Sequence, residues 1–333
     1  MSSLSDIPLS VLDLAPVSAG SDARAALRAS VELARYTEQL GYHRYWLAEH
    51  HNMPGIASSA TSVLIGQVAA ATERIRVGSG GVMLPNHAPL VVAEQFGTLE
   101  AFFPGRIDLG LGRAPGTDQR TALALRGPAG LSADDFPQKL RELMDYFDPA
   151  VTGPVTAVTA QGYGPPIWLL GSSGFSARLA GALGLPFSFA HHFSAENTLP
   201  AVALYRDSFQ PSKVLDEPYV MLGASVLCAE TDERARYLAG PSALSFLSLR
   251  KGRPIPLPTP EEAAAYEYSP IEESFVADRF DSQIIGSPET VHKGLDKLLA
   301  DTGANEIMIT TMVHDEADRR RSYELVAGLR AAA

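Results

Sequence analysis

The tripeptide Glu49-His50-His51 sets a carboxylate and two imidazoles side by side in a chain with only eight histidines. A chelated metal, a catalytic base or ordinary packing would each account for it. A zinc-type site needs three or more convergent N, O or S ligands. The sequence offers no H-x-H at the end of its first strand-like run and no H-E-x-x-H anywhere. Asp13 with His191 or His192 could complete a set with His50, but no spacing demands it. The preceding "YHRYWLAE" reads as a strand, and alternation puts Trp46, Ala48 and His50 on one face and Leu47, Glu49 and His51 on the other. The pair therefore reads as one working imidazole, His50, beside a supporting neighbour held against a helical layer and bonded to a carboxylate. No metal is expected.

A second chemistry-bearing stretch is "LLGSSGFSARLAG", where a strand runs through Gly171-Ser172-Ser173-Gly174 straight into a helix. Glycines let successive N–H groups turn inward, Ser172, Ser173 and Ser176 add hydroxyls, and the helix N-terminus contributes a positive dipole end. The combination suits a phosphate monoester; a serine-rich helix cap is the plainer alternative. Arg113, at the end of another strand, could add the missing charge or serve as a surface ion pair. Gly80-Gly81 interrupts a strand, which points to a bulge, a flat ligand lying close, a non-proline cis peptide or tight interior packing. "GLGRAPG" spaces its glycines as G-x-G-x-x-x-G, which is not the dinucleotide fingerprint, and no P-loop occurs.

These residues need strands to position them. Eight strand-like runs alternate with amphipathic helical stretches: "IPLSVLDLA", "YHRYWLAE", "RIRVGSGGVML", "RIDLGLG", "PIWLLGS", "PFSFAHH", "PYVMLGASVLC" and "NEIMITTMV". Several are apolar on both faces, as in a parallel sheet covered on each side. The predicted architecture is α/β, a (β/α)8 TIM barrel forming one domain over residues 1–333, with an open doubly wound sheet as the alternative. Residues 113–133 and 240–285, after the fourth and seventh strands, read as insertions suited to a lid. The strand ends would then bring the glycines, hydroxyls, Arg113 and the imidazoles to one rim.

Composition narrows the class. A net charge of −11 disfavours nucleic acid, and the densest basic run, Arg319-Arg320-Arg321, reads as a solvated helix face. No apolar run approaches the about 20 residues of a membrane span, the N-terminus lacks signal-peptide features, and the one cysteine, Cys228, excludes an internal disulfide. Cytoplasmic residence is the expectation.

The blocks "LGYHRYWLAEHH", "ATERIRVGSGGVMLPNHAPLVVAEQFGTLEAFFPGRIDLGLGRAPG", "WLLGSSGFSARLAGALGLPFSFAHHF" and "IIGSPETV" together resemble the bacterial-luciferase-like flavin-dependent monooxygenases, in the branch with mensacarcin-type tailoring enzymes of antibiotic pathways. The resemblance covers nearly the whole chain. It implies a (β/α)8 barrel that binds FMN as FMNH2 and reacts with O2 through a flavin C4a-hydroperoxide. It makes His50 the imidazole near the flavin edge, as general base or hydroperoxide stabiliser. It assigns the cofactor to Gly80, Gly81, Gly112, Arg113, Ser172, Ser173, Gly174, Phe175 and Ser176. Relatives carry a cis peptide at the Gly80-Gly81 position; the luciferase large subunit carries a cysteine where Gly112 stands, so nothing that depends on that thiol transfers. Lacking a dinucleotide motif, such an enzyme takes FMNH2 from a separate NAD(P)H-dependent flavin reductase, and the family tends to homodimers. A small organic substrate would be hydroxylated, epoxidised or, if an aldehyde, oxidised. A non-catalytic flavin-binding protein, a deazaflavin-dependent oxidoreductase and a metal-dependent hydrolase are the competing readings.

Overall fold

A computed structural model describes residues 4–114, 116–126 and 135–330. The strands are β1 (Leu9–Asp13), β2 (Arg44–Leu47), β3 (Arg76–Ser79), β4 (Val82–Met83), β5 (Ile107–Gly112), β6 (Ile167–Gly171), β7 (Phe187–Phe189), β8 (Val220–Cys228), β9 (Ile284–Gly286) and β10 (Glu306–Thr310). Every ladder is parallel. The order β10-β1-β2-β3-β5-β6-β7-β8 closes on itself through β8–β10 pairing, giving an eight-stranded barrel with helices around it. β4 continues β3 beyond Gly80 and pairs with β5, and β9 adds to the far end of β8.

Two expectations need correction. The run "RIRVGSGGVML" is not one strand: it divides at Gly80–Gly81, whose peptide is cis. The arginine run is not a uniformly solvated face. Helical spacing puts Arg319 on the same side of Glu316–Leu329 as Ser322, Tyr323 and Val326, so it is buried. Its Nη2 donates to Asp13 Oδ1 at 2.7 Å. Arg321 does lie outside, paired with Glu230 and Glu324. Asp13 also accepts from Tyr45 Oη and from the Ala15 N–H, on the face of β1 away from His50.

Strand alternation sorts side chains into two cores. Leu9, Val11, Tyr45, Leu47, Ile307 and Ile309 point outward to the helices. Leu12, Trp46, Ala48, Trp168, Met221 and Met308 fill the barrel. The interior is layered along its axis. At the N-terminal end Arg44 pairs with Asp108 (2.7 Å) and Glu306 (3.1 Å), Arg76 with Asp108 (2.6 Å), and Ser10 donates to Glu306. Above this plug Trp46 packs edge-on to Trp168 at 5.3 Å, and Trp168 edge-on to Tyr219 at 5.5 Å. The third layer, at the C-terminal strand ends, is open.

The helices begin and end where local chemistry dictates. Ser287 caps Pro288–Thr302 by accepting from Thr290 N, with proline at its first position, and Gly303 closes it in the left-handed conformation. Of residues 113–133, those described include a helix at Gln119–Arg126; residue 115 and residues 127–134 lie outside the described set. Residues 240–285 contain the end of helix Asp232–Arg250, the capped helices Pro260–Ala264 and Pro270–Asp281, and the start of β9. Leu257 exchanges backbone hydrogen bonds with Val17 and Ala19, tying this segment to the loop after β1 at the barrel mouth.

Candidate active site

A cavity of about 300 Å³ opens at the C-terminal end of the barrel. Of the residues the sequence singles out, His50, Gly80, Gly112, Arg113, Ser172, Ser173 and Ser176 line it. Gly81, Gly174 and Phe175 do not. A Cβ on Gly81 would point at Gly110 O (2.7 Å) and one on Gly174 at Leu204 (2.9 Å). Phe175 lies below the guanidinium of Arg113, 4.2 Å from ring centroid to Cζ, and so positions that charge.

The imidazoles divide as strand alternation requires. His50 faces the cavity; His51 does not line it, and its Nε2 lies 3.0 Å from Glu49 Oε1. The same carboxylate lies 2.9 Å from His87 Nε2 and accepts from Asn86 Nδ2 and the Met83 N–H. Burial works to raise the Glu49 carboxyl, but the bonds to His51 and His87 outweigh it and hold it down at about 2. Glu49 thereby joins the β2 end to the β4 end, either side of His50. Burial drives His50 down to about 4 against the pull of Glu49, so its ring is neutral near pH 7. Its Nδ1 is buried and has no hydrogen-bond partner among the described residues. An unpaired buried nitrogen costs about 1–3 kcal/mol, which a ligand atom in the cavity would offset.

The glycine pair is explained by space. A Cβ on Gly80 would come 2.5 Å from Leu12 Cδ1 and 3.2 Å from Trp46 Cβ. Gly80 therefore satisfies interior packing while leaving the wall flat above it. At Gly112 the close contacts of a Cβ would be with the flexible end of Met83, 2.7 Å from Sδ and 3.2 Å from Cε, with Val82 O at an ordinary 3.9 Å.

At the opposite wall, β6 ends in Gly171 and the helix Gly174–Leu183 starts with Ser173 as its N-cap. The Ser173 hydroxyl makes no capping bond, so it is left for another acceptor, which disfavours the plain cap reading. Ser172 and Ser173 are exposed and Ser176 is buried. Arg113 makes no ion pair among the described residues. Hydroxyls, a guanidinium and a helix N-terminus thus converge on one spot, an arrangement that can hold an anion.

Several lining residues escape the sequence reading. Leu12, Met308, Thr310, Ser188 and Ser225 follow from extending alternation along each strand, a signal present but unused. His192, which the sequence offered only as a possible metal ligand beside His50, lies three residues beyond β7 and lines the cavity, its Nδ1 donating to Gly223 O at 2.8 Å, and burial pushes it down to about 4. Arg279 carries no comparable signal; it reaches the cavity from Pro270–Asp281, where no periodicity announces an inward residue. Among the described residues no group of three or more His, Cys, Asp or Glu is placed to hold a metal, and no helix is long and apolar enough to cross a membrane.

Comparison with known proteins follows the same line. The family described as luciferase-like monooxygenase matches residues 7–306. An Escherichia coli (strain K12) protein named luciferase-like monooxygenase is 49% identical over 320 residues, covering 96% of both chains. The N-acetyl-S-alkylcysteine monooxygenase of Bacillus subtilis (strain 168) is 35% identical over 331 residues, covering 96% of this chain and 97% of that one. The crystal structure of apo-MsnO8 superposes with a TM-score of 0.91 at 40% identity, covering 98% of this chain and 99% of the other.

Proposed function

This chain belongs to the luciferase-like monooxygenase family, and we propose that it uses FMNH2 to insert one oxygen atom of O2 into a small organic substrate. The observation that carries this reading is the pairing, across one cavity, of a flat glycine wall with an anion cradle. A flavin mononucleotide has those two ends, a planar ring and a phosphate. Arg113, Ser172, Ser173 and Ser176 would hold the phosphate, with Gly174 opening the helix whose N-terminus faces it. Gly80 and Gly112 would lie against the ring, with Gly81 supporting the wall from behind. When bound, the reduced flavin supplies the two electrons with which O2 is divided between substrate and water.

The remaining work falls to the chain itself. His50 is neutral, so it can accept a proton at one nitrogen or donate from the other without first shedding charge. Leu12, Leu14, Met308 and Met312 line the cavity with apolar surface and exclude water from the reacting region. Residues 240–285, tied to the β1 loop through Leu257, are suited to close over the mouth. The chain has no dinucleotide fingerprint, so the FMNH2 comes from a separate NAD(P)H-dependent flavin reductase by transient contact. The working unit is a homodimer.

Anaerobic titration of the protein with reduced FMN, followed by admission of O2 while flavin absorbance is recorded, tests this. The expected result is tight binding and oxidation of the bound flavin at a rate distinct from that of free flavin. Replacing Arg113 and Ser173 together by alanine should weaken FMN binding by about 10–100-fold, since charge-assisted bonds contribute roughly 1.5–3 kcal/mol. Failure of the unmodified protein to bind reduced FMN, or an unchanged affinity in the double variant, refutes the assignment.

A further inference from the structure

Arg279 is the cation in this cavity that the flavin reading leaves without a task. Its partners orient it but do not neutralise it. Nη1 donates to His192 O at 2.9 Å, and the guanidinium lies over the Phe246 ring, 4.4 Å from its centroid. Phe246 is in turn stacked on Phe275 at 5.6 Å and 9°. With its amide turned to satisfy both ends, Gln283 accepts from Nε and Nη2 at 3.2 Å and also from Ser225 Oγ. All of these acceptors are uncharged. In a chain with 38 acidic residues, none of the described carboxylates pairs with Arg279. Burial accordingly works against its charged form, with no anion among the described residues to oppose that.

A second group faces the same space. Thr310 is 5% exposed and lines the cavity, yet its Oγ1 has no partner among the described residues. It stands opposite Ser225 in the β8–β10 ladder, so the orphan hydroxyl, the Ser225 hydroxyl and the guanidinium come from adjoining walls. A partly buried, oriented guanidinium without a counter-ion, beside an unsatisfied hydroxyl, lacks one anionic acceptor. Arg279 also borders an apolar side chamber lined by Met53, Ile56, Phe246 and Leu249, so the missing group would enter with an organic body attached.

Resting on the monooxygenase reading of this site, we propose that Arg279 and Thr310 anchor a carboxylate on the substrate, making this an oxygenase of small organic acids. With Gln283 on the Nε–Nη2 edge and His192 on one Nη1 proton, the remaining Nη1 and Nη2 protons can meet the two oxygens of a carboxylate, whereas a neutral amide leaves the charge unanswered. Arg279 is then the residue that determines specificity and Arg113 the one that holds the cofactor, each cation answering a different anion.

Calorimetric titration of the intact protein with acetate, phenylacetate and 3-phenylpropionate, each against its primary amide, tests the assignment. The best-bound acid should bind about 10–100-fold more tightly than its amide. Arg279→Gln should abolish that preference while leaving FMN affinity unchanged, and Arg279→Lys, which keeps the charge but loses the fork, should retain part of it. Equal binding of acid and amide, no binding by any of the three acids, or a preference that survives Arg279→Gln overturns the proposal. So does a loss of FMN affinity in Arg279→Gln as large as that in Arg113→Ala, because the guanidinium would then serve the flavin phosphate. An acid preference in a protein that fails to bind FMN would count against the flavin reading alone.

Discussion

If His50 is held neutral by its surroundings, acid should expose the fact in a measurable way. Its folded-state value is about 4, against a usual 6.5. Between those values the unfolded chain takes up a proton that the folded protein refuses, so stability must fall as pH drops below 6.5 and level off below about 4. From pH 7 to pH 5 the loss works out at about 2 kcal/mol for His50, and a similar amount for His192, whose burial lowers it to the same region. Glu49 does not confuse this window. Its value is depressed from 4.5 to about 2, so its contribution is intact above 4.5 and disappears only in stronger acid. The assay is urea unfolding of the ligand-free protein at half-unit steps between pH 7 and 5, for wild type and for His50→Asn. The variant should lose about 2 kcal/mol of the wild-type pH dependence. An unchanged dependence in His50→Asn, or an NMR titration placing the His50 ring near 6.5, would refute the argument that burial keeps this imidazole neutral.

Other perturbations separate scaffold from site. Arg319→Met leaves Asp13 charged and buried without its partner and should cost about 3–5 kcal/mol by chemical denaturation, whereas Arg321→Met, at the surface, should leave the unfolding midpoint close to that of wild type. Glu49→Gln removes the charge that gathers His51, His87 and Asn86 beside the cavity; turnover should fall while FMN affinity measured by fluorescence changes little, and an unaltered rate would show that the cluster does not position His50. Gly112→Ala makes its close contacts with the flexible end of Met83, so its melting temperature should stay within a few degrees of wild type while its affinity for FMN drops. A collapse in stability there would mean that Met83 has no room to give.

The sequence by itself determined the barrel and much of its rim. The reason is that βα alternation and strand-end chemistry are local properties. "YHRYWLAEHH" fixes which histidine faces inward because the side-chain period of a strand is two, and "GSSGFSARLAG" carries both the glycines and the hydroxyls of its cradle within one turn of chain. Ser287 and Gly303 mark their helix ends for the same reason. What only the tertiary structure decided are the pairings between residues far apart in sequence. Asp13 and Arg319 are separated by 306 positions, and nothing in "RRR" says that one of three arginines turns inward to a carboxylate on the first strand. That Gly80 and Gly81 leave no room for a side chain follows from Leu12, Trp46 and Gly110, which crowd those two residues from other strands of the barrel. Arg279 is the clearest case: its helix periodicity marks no inward face, and its place in the cavity depends on how residues 240–285 fold back over the barrel mouth. Side-chain chemistry was legible wherever a strand end presents it; the counterparts that neutralise it, or fail to, emerge only once the barrel closes.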